Sequence, residues 1–286
     1  MEHLTTLAQW RAFTDEQRRS GRTVGFVPTM GALHDGHGSL VRRAVADGTV
    51  ALVSIFVNPR QFNDASDLAA YPRDEARDLA LCESWGAAAV VTPSVEEMWP
   101  DYPRTTATTV SVAGITERFE GAGRPGHFDG VASVVTKLFA ITGVANAYFG
   151  EKDFQQLAMV RQLNRDLALG ITIVGCPIAR DHDGLALSSR NVRLSEPGRA
   201  VALAFSSALR AVEGSSLDAT QARATMQQIL NAGGVEIAYA DIVHSDTLEP
   251  VEADFTGIAR ALLAGLVDGV RLLDNAEVTI TARKGA

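Results

Sequence analysis

VGFVPTMGALHDGHGSLVRRA, residues 24–44, is the stretch of this sequence that decides its fold. Its apolar first part ends in Pro-Thr-Met-Gly, and two histidines, His34 and His37, precede an amphipathic second part. A buried strand that passes through a glycine turn into a helix is the repeating unit of parallel α/β proteins. We therefore expect a strand, a turn and a helix here, with both histidines at the start of the helix.

The same alternation continues to residue 177. Apolar runs that predict strands buried on both faces lie at 23–28, 50–57, 87–93, 146–150 and 171–177. Amphipathic segments that predict helices, several of them ending in glycine, lie at 37–48, 72–86, 130–143 and 153–170. Residues 1–177 therefore predict an α/β domain with a doubly wound parallel sheet.

The pattern changes after Pro177. Two helical segments follow at 197–214 and 217–234, and strand-like segments then lie at 235–245, 258–269, 270–275 and 277–282. Consecutive helices followed by consecutive strands are typical of an α+β arrangement with antiparallel pairing. Residues 178–286 therefore predict a smaller C-terminal α+β domain.

The bulk composition is that of a globular protein. The 286 residues are 46% hydrophobic and 21% charged, with a formal net charge of −8. An acidic chain lacks the basic surface of a dedicated nucleic-acid-binding protein, so no nucleic-acid partner is expected. The N-terminal residues have no apolar secretory segment, and no run of about eighteen apolar residues predicts a membrane span. Two distant cysteines favour free thiols in a cytoplasmic protein.

The two histidines suggest phosphate chemistry. Helix N-termini have unpaired N–H groups and partial positive charge, and Gly31 and Gly36 would let the backbone approach a nucleotide closely. Imidazoles there could donate hydrogen bonds to a phosphate whose charge grows in the transition state. Two other interpretations stay open from these residues alone: one surface and one core histidine, or a metal-binding pair, for which no third ligand is spaced nearby.

Two further segments could contribute to a phosphate site. Lys152, in FGEKDFQQL, follows a predicted strand and could place its charge at the carboxyl edge of the sheet, whereas Asp153 could simply cap the next helix. Ser188, Ser189 and Arg190 lie near the domain boundary and could bind a triphosphate. The alternative for them is a serine-rich turn with a surface arginine.

Neutral polar side chains could bind a hydroxy-acid substrate. Asn58 and Gln61, which end a predicted strand, are neutral groups of this kind. Gln155 and Gln156 follow Lys152 and could belong to the same site as that lysine, and Arg124 lies with His127 in a glycine-rich loop before a helix. Solvated helix or loop residues are the alternative, and for Gln156 that interpretation is about as well supported. Such loops often carry function when a rigid scaffold presents them.

Taken together, six segments in order resemble the pantothenate synthetase (pantoate–β-alanine ligase) family of the HxGH nucleotidyltransferase superfamily. They are PTMGALHDGH, NPRQF, DLAAYPRD, GRPGHFDGV, FGEKDFQQ and DGLALSSRN, between Thr23 and Leu194. The resemblance implies a Rossmann-like domain that binds nucleotide and pantoate, with the smaller domain closing over the active site, in a homodimer. It also implies a reaction of pantothenate biosynthesis, in which ATP activates pantoate as pantoyl adenylate and β-alanine then displaces AMP.

The resemblance also implies roles for individual residues. The catalytic residues would be His34, His37, Lys152 and Arg190. ATP would contact Met30, Gly31, His34, Gly36, His37, Gly150, Glu151, Lys152, Asp153, Ala179, Leu187, Ser188, Ser189 and Arg190. Pantoate and β-alanine would contact Asn58, Gln61, Arg124 and Gln156. Mg²⁺ would bridge phosphate oxygens, with no metal cluster of protein side chains expected.

Two positions depart from the family pattern, and two rival functions follow from the residues. Leu187 replaces the usual Met, and Gly38 replaces a bulky apolar residue at a cost of about 1 kcal/mol relative to Ala if mid-helix. Neither change removes a functional group, so activity is expected to survive. The rivals are another HxGH nucleotidyltransferase and a non-catalytic nucleotide-binding relative, although His34, His37, Lys152 and Arg190 are all retained.

Overall fold

The computed structural model describes residues 1–104 and 106–282. The chain divides into two compact units. The first consists of Met1–Glu151 and Met159–Pro177, and the second of Lys152–Ala158 and the chain from Ile178 onward. The short segment Lys152–Ala158 therefore packs with residues that follow it by twenty or more positions, which no local pattern in the sequence indicates.

The first unit contains a parallel sheet. In the described part of the chain this sheet has six strands, β1 (Glu2–Leu4), β2 (Val24–Thr29), β3 (Val50–Ile55), β4 (Ala89–Val91), β5 (Asn146–Gly150) and β6 (Thr172–Cys176). Their order is β1-β4-β3-β2-β5-β6. The five predicted strands are confirmed. The sequence interpretation missed β1, whose three residues are too few to display any periodicity.

The strand order creates a switch point between β2 and β5. The chain runs outward from β2 through β3 to β4, and β5 then pairs with the other side of β2, with Gly25 opposite Asn146. In open α/β sheets, ligands bind beyond the carboxyl ends of the strands at this point. The turn after β2, which leads to His34 and His37 at the start of the next helix, therefore begins at the place where this fold binds ligands.

Helices follow most of the strands. They are α1 (Leu7–Arg19), α2 (Asp35–Ala46), α3 (Ala65–Ala70), α4 (Glu75–Ser84), α5 (Val95–Met98), α6 (Glu120–Gly123), α7 (His127–Thr142), α8 (Phe154–Asp166), α9 (Glu196–Val212) and α10 (Ala219–Ala232). The six predicted helices are confirmed, and most of their ends lie one to three residues from the predicted positions. No helix within the described residues has the length and apolar character needed to cross a membrane.

The second unit contains an antiparallel sheet, as predicted. In the described residues its order is β7 (Glu236–Val243), β8 (Gly257–Val267) and β9 (Val270–Ile280). Asp268 and Gly269 form the two-residue turn between β8 and β9, both with positive φ, as the right-handed twist of a hairpin favours. Helices α9 and α10 contribute Phe205, Leu209 and Met226 to its core.

One prediction for this sheet was wrong. Residues 270–275 and 277–282 were expected to be two separate strands. Asp274 and Asn275, which lie at the end of the first of them, are residue types that favour turns. The structure has one continuous strand, in which Asn275 and Ala276 pair with Leu262 and Ala261 of β8. The reason is that both polar side chains find hydrogen-bond partners within the fold and need no turn to reach solvent.

Candidate active site

The two histidines form a capping box at the start of α2. His34 is the N-cap, with extended φ of −144°, and its Nδ1 accepts a hydrogen bond from the Gly36 N–H at 3.1 Å. Three residues later, His37 Nδ1 accepts from the His34 N–H at 3.3 Å. The ring centroids lie 4.2 Å apart. This arrangement, with a histidine in both positions usually held by Ser and Glu, confirms that the helix begins at the HxGH segment.

These hydrogen bonds determine which ring nitrogen carries the proton. Because Nδ1 accepts a backbone N–H in both rings, each neutral imidazole carries its hydrogen on Nε2. His34 and His37 can therefore each offer an Nε2–H donor. The positive end of the α2 dipole lies at the same place. The site is suited to stabilising negative charge on an oxygen ligand.

The turn before His34 is held by α4. Gly31 and Ala32 have φ of +80° and +50°, so this turn needs external support. Asp78 Oδ1 accepts a hydrogen bond from the Leu33 N–H at 2.9 Å, and Arg77 Nη1 donates to the Leu33 carbonyl at 3.1 Å. Asp78 is only 1% exposed, and burial raises the pKa of its carboxyl. Sequence reasoning missed Asp78, and its one signal is a carboxylate among buried positions of an amphipathic helix.

We expect Asp78→Ala to slow adenylate formation about tenfold, because buried N–H groups of the turn lose their acceptor and His34 loses its fixed position. The free energy of unfolding should fall by about 1–3 kcal/mol. Asp78→Asn, which keeps one acceptor, should lose less of both. Single-turnover assays and urea unfolding measure the two effects. Glu75→Ala, an exposed carboxylate in the same helix, is the control and should change neither.

The raised pKa gives this prediction a pH dependence. The folded pKa of Asp78 lies above the unfolded value of 3.8. The group's favourable contribution is therefore complete below the unfolded pKa and is lost as pH rises through the folded pKa. The stability gap between the wild type and Asp78→Asn should consequently be wider near pH 4 than near pH 7. A gap that widens with rising pH would contradict the burial-dominated environment.

Gly38 has a packing role that the sequence did not indicate. A Cβ at this position would lie 2.6 Å from Cε2 of Trp85 and 2.9 Å from its Nε1. Real Cβ atoms do not approach a ring so closely, so Ala cannot replace Gly38 unless the indole moves. The expected gain of about 1 kcal/mol for Ala at this position is therefore not available in this chain. The indole of Trp85 fills the space that a larger residue 38 would need.

Asn58 and Gln61 form a second corner of the first unit. Both are buried, at 1% and 8% exposure. Asn58 Nδ2 donates to Gln61 Oε1 at 3.0 Å, and Asn58 Oδ1 accepts from Trp99 Nε1 at 3.1 Å. Gln61 Nε2 lies 3.0 Å from Met30 Sδ. This hydrogen-bond chain brings the Asn58–Gln61 corner against the HxGH turn.

Arg124 and His127 hold the backbone of the same corner. His127 Nδ1 lies 2.8 Å from the Gln61 carbonyl, which can only accept, so the proton is on Nδ1. Arg124 Nη1 lies 3.1 Å from His127 Nε2, and its Nη2 lies 3.5 Å from the Gln61 carbonyl. The Gly130 carbonyl accepts from Asn58 Nδ2 at 3.1 Å. The glycine-rich segment and the start of α7 therefore support Gln61.

The second unit carries the other candidate residues. Lys152 lies in the 3₁₀ turn Glu151–Asp153 that follows β5, with Nζ 3.5 Å from Asp153 Oδ1. Gln156 lies half-buried in the first turn of α8, and Gln155 is buried with 6% exposure. Gln155 is therefore not a solvated helix residue, which is the alternative that the sequence left open for both glutamines.

Ser188, Ser189 and Arg190 begin a 3₁₀ turn, Ser189–Arg193. Ser188 is its N-cap, and its Oγ accepts a hydrogen bond from the Arg190 N–H at 3.3 Å. The preceding hairpin is closed by the Leu187 N–H, which donates to the Ala179 carbonyl at 2.9 Å. The two predicted ATP contacts Ala179 and Leu187 are therefore paired neighbours, and Leu187 is half-buried without needing a thioether.

The metal-binding interpretation of the histidine pair gains no support. Within residues 1–104 and 106–282, no group of three or more His, Cys, Asp or Glu side chains is arranged to hold a metal ion. The Nδ1 atoms of His34 and His37 are instead occupied by backbone N–H groups. Cys82 and Cys176 are free and buried, and burial raises the pKa of their thiols to about 12 and about 11.

Comparisons with known proteins agree with the sequence motifs. The family model described as pantoate-beta-alanine ligase matches residues 2–277. A pantothenate synthetase of Cereibacter sphaeroides is 50% identical, with 96% of this chain and 99% of that protein covered. The crystal structure of pantothenate synthetase from Thermus thermophilus has a TM-score of 0.88 and 43% identity, covering 96% of this chain and 99% of that chain.

A third relative was crystallised with two small molecules. It is the pantoate-beta-alanine ligase of Francisella tularensis in complex with β-γ ATP and β-alanine, with a TM-score of 0.79 and 33% identity, covering 96% of this chain and 97% of that chain. The match extends through the C-terminal unit, where the sequence motifs are few. The predicted family and fold class are confirmed, and this chain belongs to the pantoate–β-alanine ligase family.

Proposed function

We propose that this chain is an AMP-forming ligase that condenses (R)-pantoate with β-alanine to pantothenate at the expense of ATP. Family membership over nearly the whole chain supports the overall reaction. The observation that carries the chemistry is the histidine capping box at the switch point of the sheet, because it presents two N–H donors at the place where this fold binds ligands. A carboxylate is a poor acyl donor, so it must first be activated.

In the first step the pantoate carboxylate oxygen attacks the α-phosphorus of ATP. A P–O bond forms to the carboxylate, the bond from the α-phosphorus to the bridging oxygen breaks, and pyrophosphate leaves with the electron pair. Such reactions depend on positioning and charge stabilisation more than on covalent help. His34 and His37 donate their Nε2–H groups to phosphate oxygens, where each donor contributes about 10²–10³ in rate.

Two cationic side chains supply the remaining positive charge. Lys152 places its ammonium on the phosphate oxygens, and Arg190 binds the departing pyrophosphate with the hydroxyls of Ser188 and Ser189. The other predicted ATP contacts are assigned from the family motifs. They are Met30, Gly31, Gly36, Gly150, Glu151, Asp153, Ala179 and Leu187.

Pantoate binds at the Asn58–Gln61 corner. The buried amide of Gln61 is fixed by a hydrogen bond from Asn58 and by contact with the sulfur of Met30. It can therefore bind a hydroxyl or carboxylate with little reorganisation. Arg124 and Gln156 complete this set. In the second step the β-alanine amine attacks the acyl carbon of the adenylate, the C–O bond to AMP breaks, and the amine loses a proton as the amide forms.

Mg²⁺, the oligomeric state and the location remain predictions. Mg²⁺ keeps much of its water and is commonly held by substrate phosphates with one or two carboxylates, so we propose that it arrives with ATP. We also propose a cytoplasmic homodimer, from the resemblance to the family. Light scattering of the purified protein tests the dimer, and a mass equal to one chain at micromolar concentration would contradict it.

A product assay tests the function. The purified protein is incubated with Mg-ATP, D-pantoate and β-alanine, and the products are identified by mass spectrometry. Pantothenate, AMP and pyrophosphate should form in equal amounts, and omission of pantoate should abolish all three. A nucleotide joined to a phosphate-bearing acceptor would instead support another HxGH nucleotidyltransferase. ATP binding without turnover would support a non-catalytic relative.

A further inference from the structure

Two adjacent polar side chains in the middle of β9 are both buried. Asp274 is 3% exposed and Asn275 is 2% exposed. Successive side chains of a strand point to opposite faces of the sheet, so one face buries a carboxylate and the other an amide. Burial of such groups is costly unless hydrogen bonds compensate it. Neither residue takes part in the proposed chemistry, so we infer their role from their hydrogen-bond partners.

Asp274 holds the hairpin that leads to the serine pair. Its carboxylate accepts two hydrogen bonds from Arg180, to Oδ2 from Nη1 at 2.6 Å and to Oδ1 from Nη2 at 2.9 Å. Arg180 Nη1 also donates to the Gly184 carbonyl at 3.2 Å, and Arg180 forms a β-bridge with Ala186. Two residues beyond this bridge, Ser188 begins the Ser188–Arg190 segment.

Asn275 holds the turn that contains Lys152. Its Nδ2 donates to the Lys152 carbonyl at 2.9 Å, and its Oδ1 accepts from Arg260 Nε at 2.7 Å. The Arg260 guanidinium lies 4.1 Å from the ring centroid of Phe154, the first residue of α8. The Lys152 backbone is therefore fixed by a side chain that is itself locked in place by Arg260.

We propose that Asp274 and Asn275 form a positioning element, here named the 274–275 brace, for the two phosphate-binding segments of the second unit. The brace holds the Lys152 turn and the Ser188–Arg190 segment at a fixed separation. One rigid peptide unit joins its two residues, and both pair with β8, at Leu263 and Leu262. The inference rests on the proposed roles of Lys152 and Arg190 in binding ATP.

The brace explains why β9 tolerates two polar residues where its pattern calls for apolar ones. Lys152 and Arg190 lie 38 positions apart in the sequence. If the backbone between them were flexible, the distance between their two charges would vary. A displacement of about 1 Å at a reacting group can cost about 10²-fold in rate. Preorganised charge is also effective because it needs no rearrangement during reaction.

The test uses Asn275, because Asp274→Ala would leave the Arg180 guanidinium without its carboxylate and endanger folding. We expect Asn275→Ala to lower kcat/KM for ATP in pyrophosphate exchange by about 10–100-fold, with the KM for β-alanine in the full reaction unchanged. Asn275→Asp is the discriminating variant. It keeps the acceptor for Arg260 but has no N–H for the Lys152 carbonyl, so it should be as impaired as Asn275→Ala.

A matched control separates positioning from general stability. Asp241 in β7 accepts a hydrogen bond from Arg223 in the same unit but contacts neither phosphate-binding segment in the described hydrogen bonds. Asp241→Ala should lower the thermal midpoint without changing kcat/KM for ATP per folded molecule. Circular dichroism of each variant gives the folded fraction, and all rates are divided by it.

A double-variant cycle tests whether Asn275 acts through Lys152. In the wild type, Asn275→Ala should weaken ATP binding by about tenfold or more. In the Lys152→Met background the same substitution should weaken it by less than about threefold, because the effects of substitutions at interacting residues do not add. Calorimetric titration with Mg-ATP measures both effects without turnover. Full additivity, rescue by Asn275→Asp, or an Asn275→Ala value within about twofold of wild type would each overturn the brace. Absence of exchange in the wild type would instead reject the proposed function.

Discussion

His37→Ala lowers the rate of adenylate formation by about 10²–10³, because one donor to the developing phosphate charge is lost. The measurement is single-turnover formation of the adenylate from Mg-ATP and pantoate, by rapid quench, with β-alanine omitted. The reason lies in the capping box, where the His34 N–H occupies His37 Nδ1 and leaves Nε2–H as the donor. A loss smaller than about tenfold would contradict this role.

His37→Gln is the control for the structural part of this effect. Gln is a standard residue at the third helical position of a capping box and can accept the His34 N–H in place of imidazole. We therefore expect His37→Gln to recover the stability of about 1 kcal/mol that His37→Ala loses, yet to recover only part of the rate. Full recovery of both would mean that His37 acts as a helix cap alone. The exposed His182 provides a neutral comparison as His182→Ala.

Lys152→Met has the second large effect. The methionine side chain keeps most of the apolar length but removes the ammonium, so charge stabilisation at the phosphate is lost. We expect the adenylation rate to fall by about 10²–10³ and the KM for ATP to rise with it. Reaction of β-alanine with preformed adenylate should change less, because pyrophosphate has already left. Rapid-quench and adenylate-aminolysis assays separate these two steps.

The control for Lys152→Met replaces a cationic residue of α8 that lies outside the candidate site. Arg165 has a side chain that is 71% exposed, and Arg165→Met removes one positive charge from the same helix region without touching the predicted phosphate contacts. Its rates should match the wild type. Equal losses in Lys152→Met and Arg165→Met would show that net charge, rather than a local contact, determines the rate.

The order of strands and helices could be predicted because each carries a local pattern. The run at 24–29 is apolar on both faces, and His34 and Gly36 follow it at spacings that a helix start requires. The antiparallel C-terminal sheet was also predictable from its apolar alternation. Strand β1 was missed because three residues contain no period, and β9 was divided because Asp274 and Asn275 imitate a turn.

The residues that hold the site in place could not be predicted, because they act through contacts with residues that are distant in the sequence. Asp78 accepts a hydrogen bond from the Leu33 N–H, 45 positions away in the sequence, and Asn275 donates one to the Lys152 carbonyl, 123 positions away. No local pattern encodes such pairs. Gly38 shows the same limit, since its small size is explained only by Trp85, which follows α4 directly. Residues that would touch substrate carried motifs, whereas residues that hold them in place did not.

The most direct test of the adenylate mechanism is ATP–pyrophosphate exchange by the purified protein with Mg²⁺, with and without D-pantoate, and with no amine present. We expect exchange of label from pyrophosphate into ATP that requires pantoate, since only a reversible acyl-adenylate step returns pyrophosphate to ATP. Exchange that proceeds without pantoate, or no exchange by folded protein that binds ATP, would contradict it.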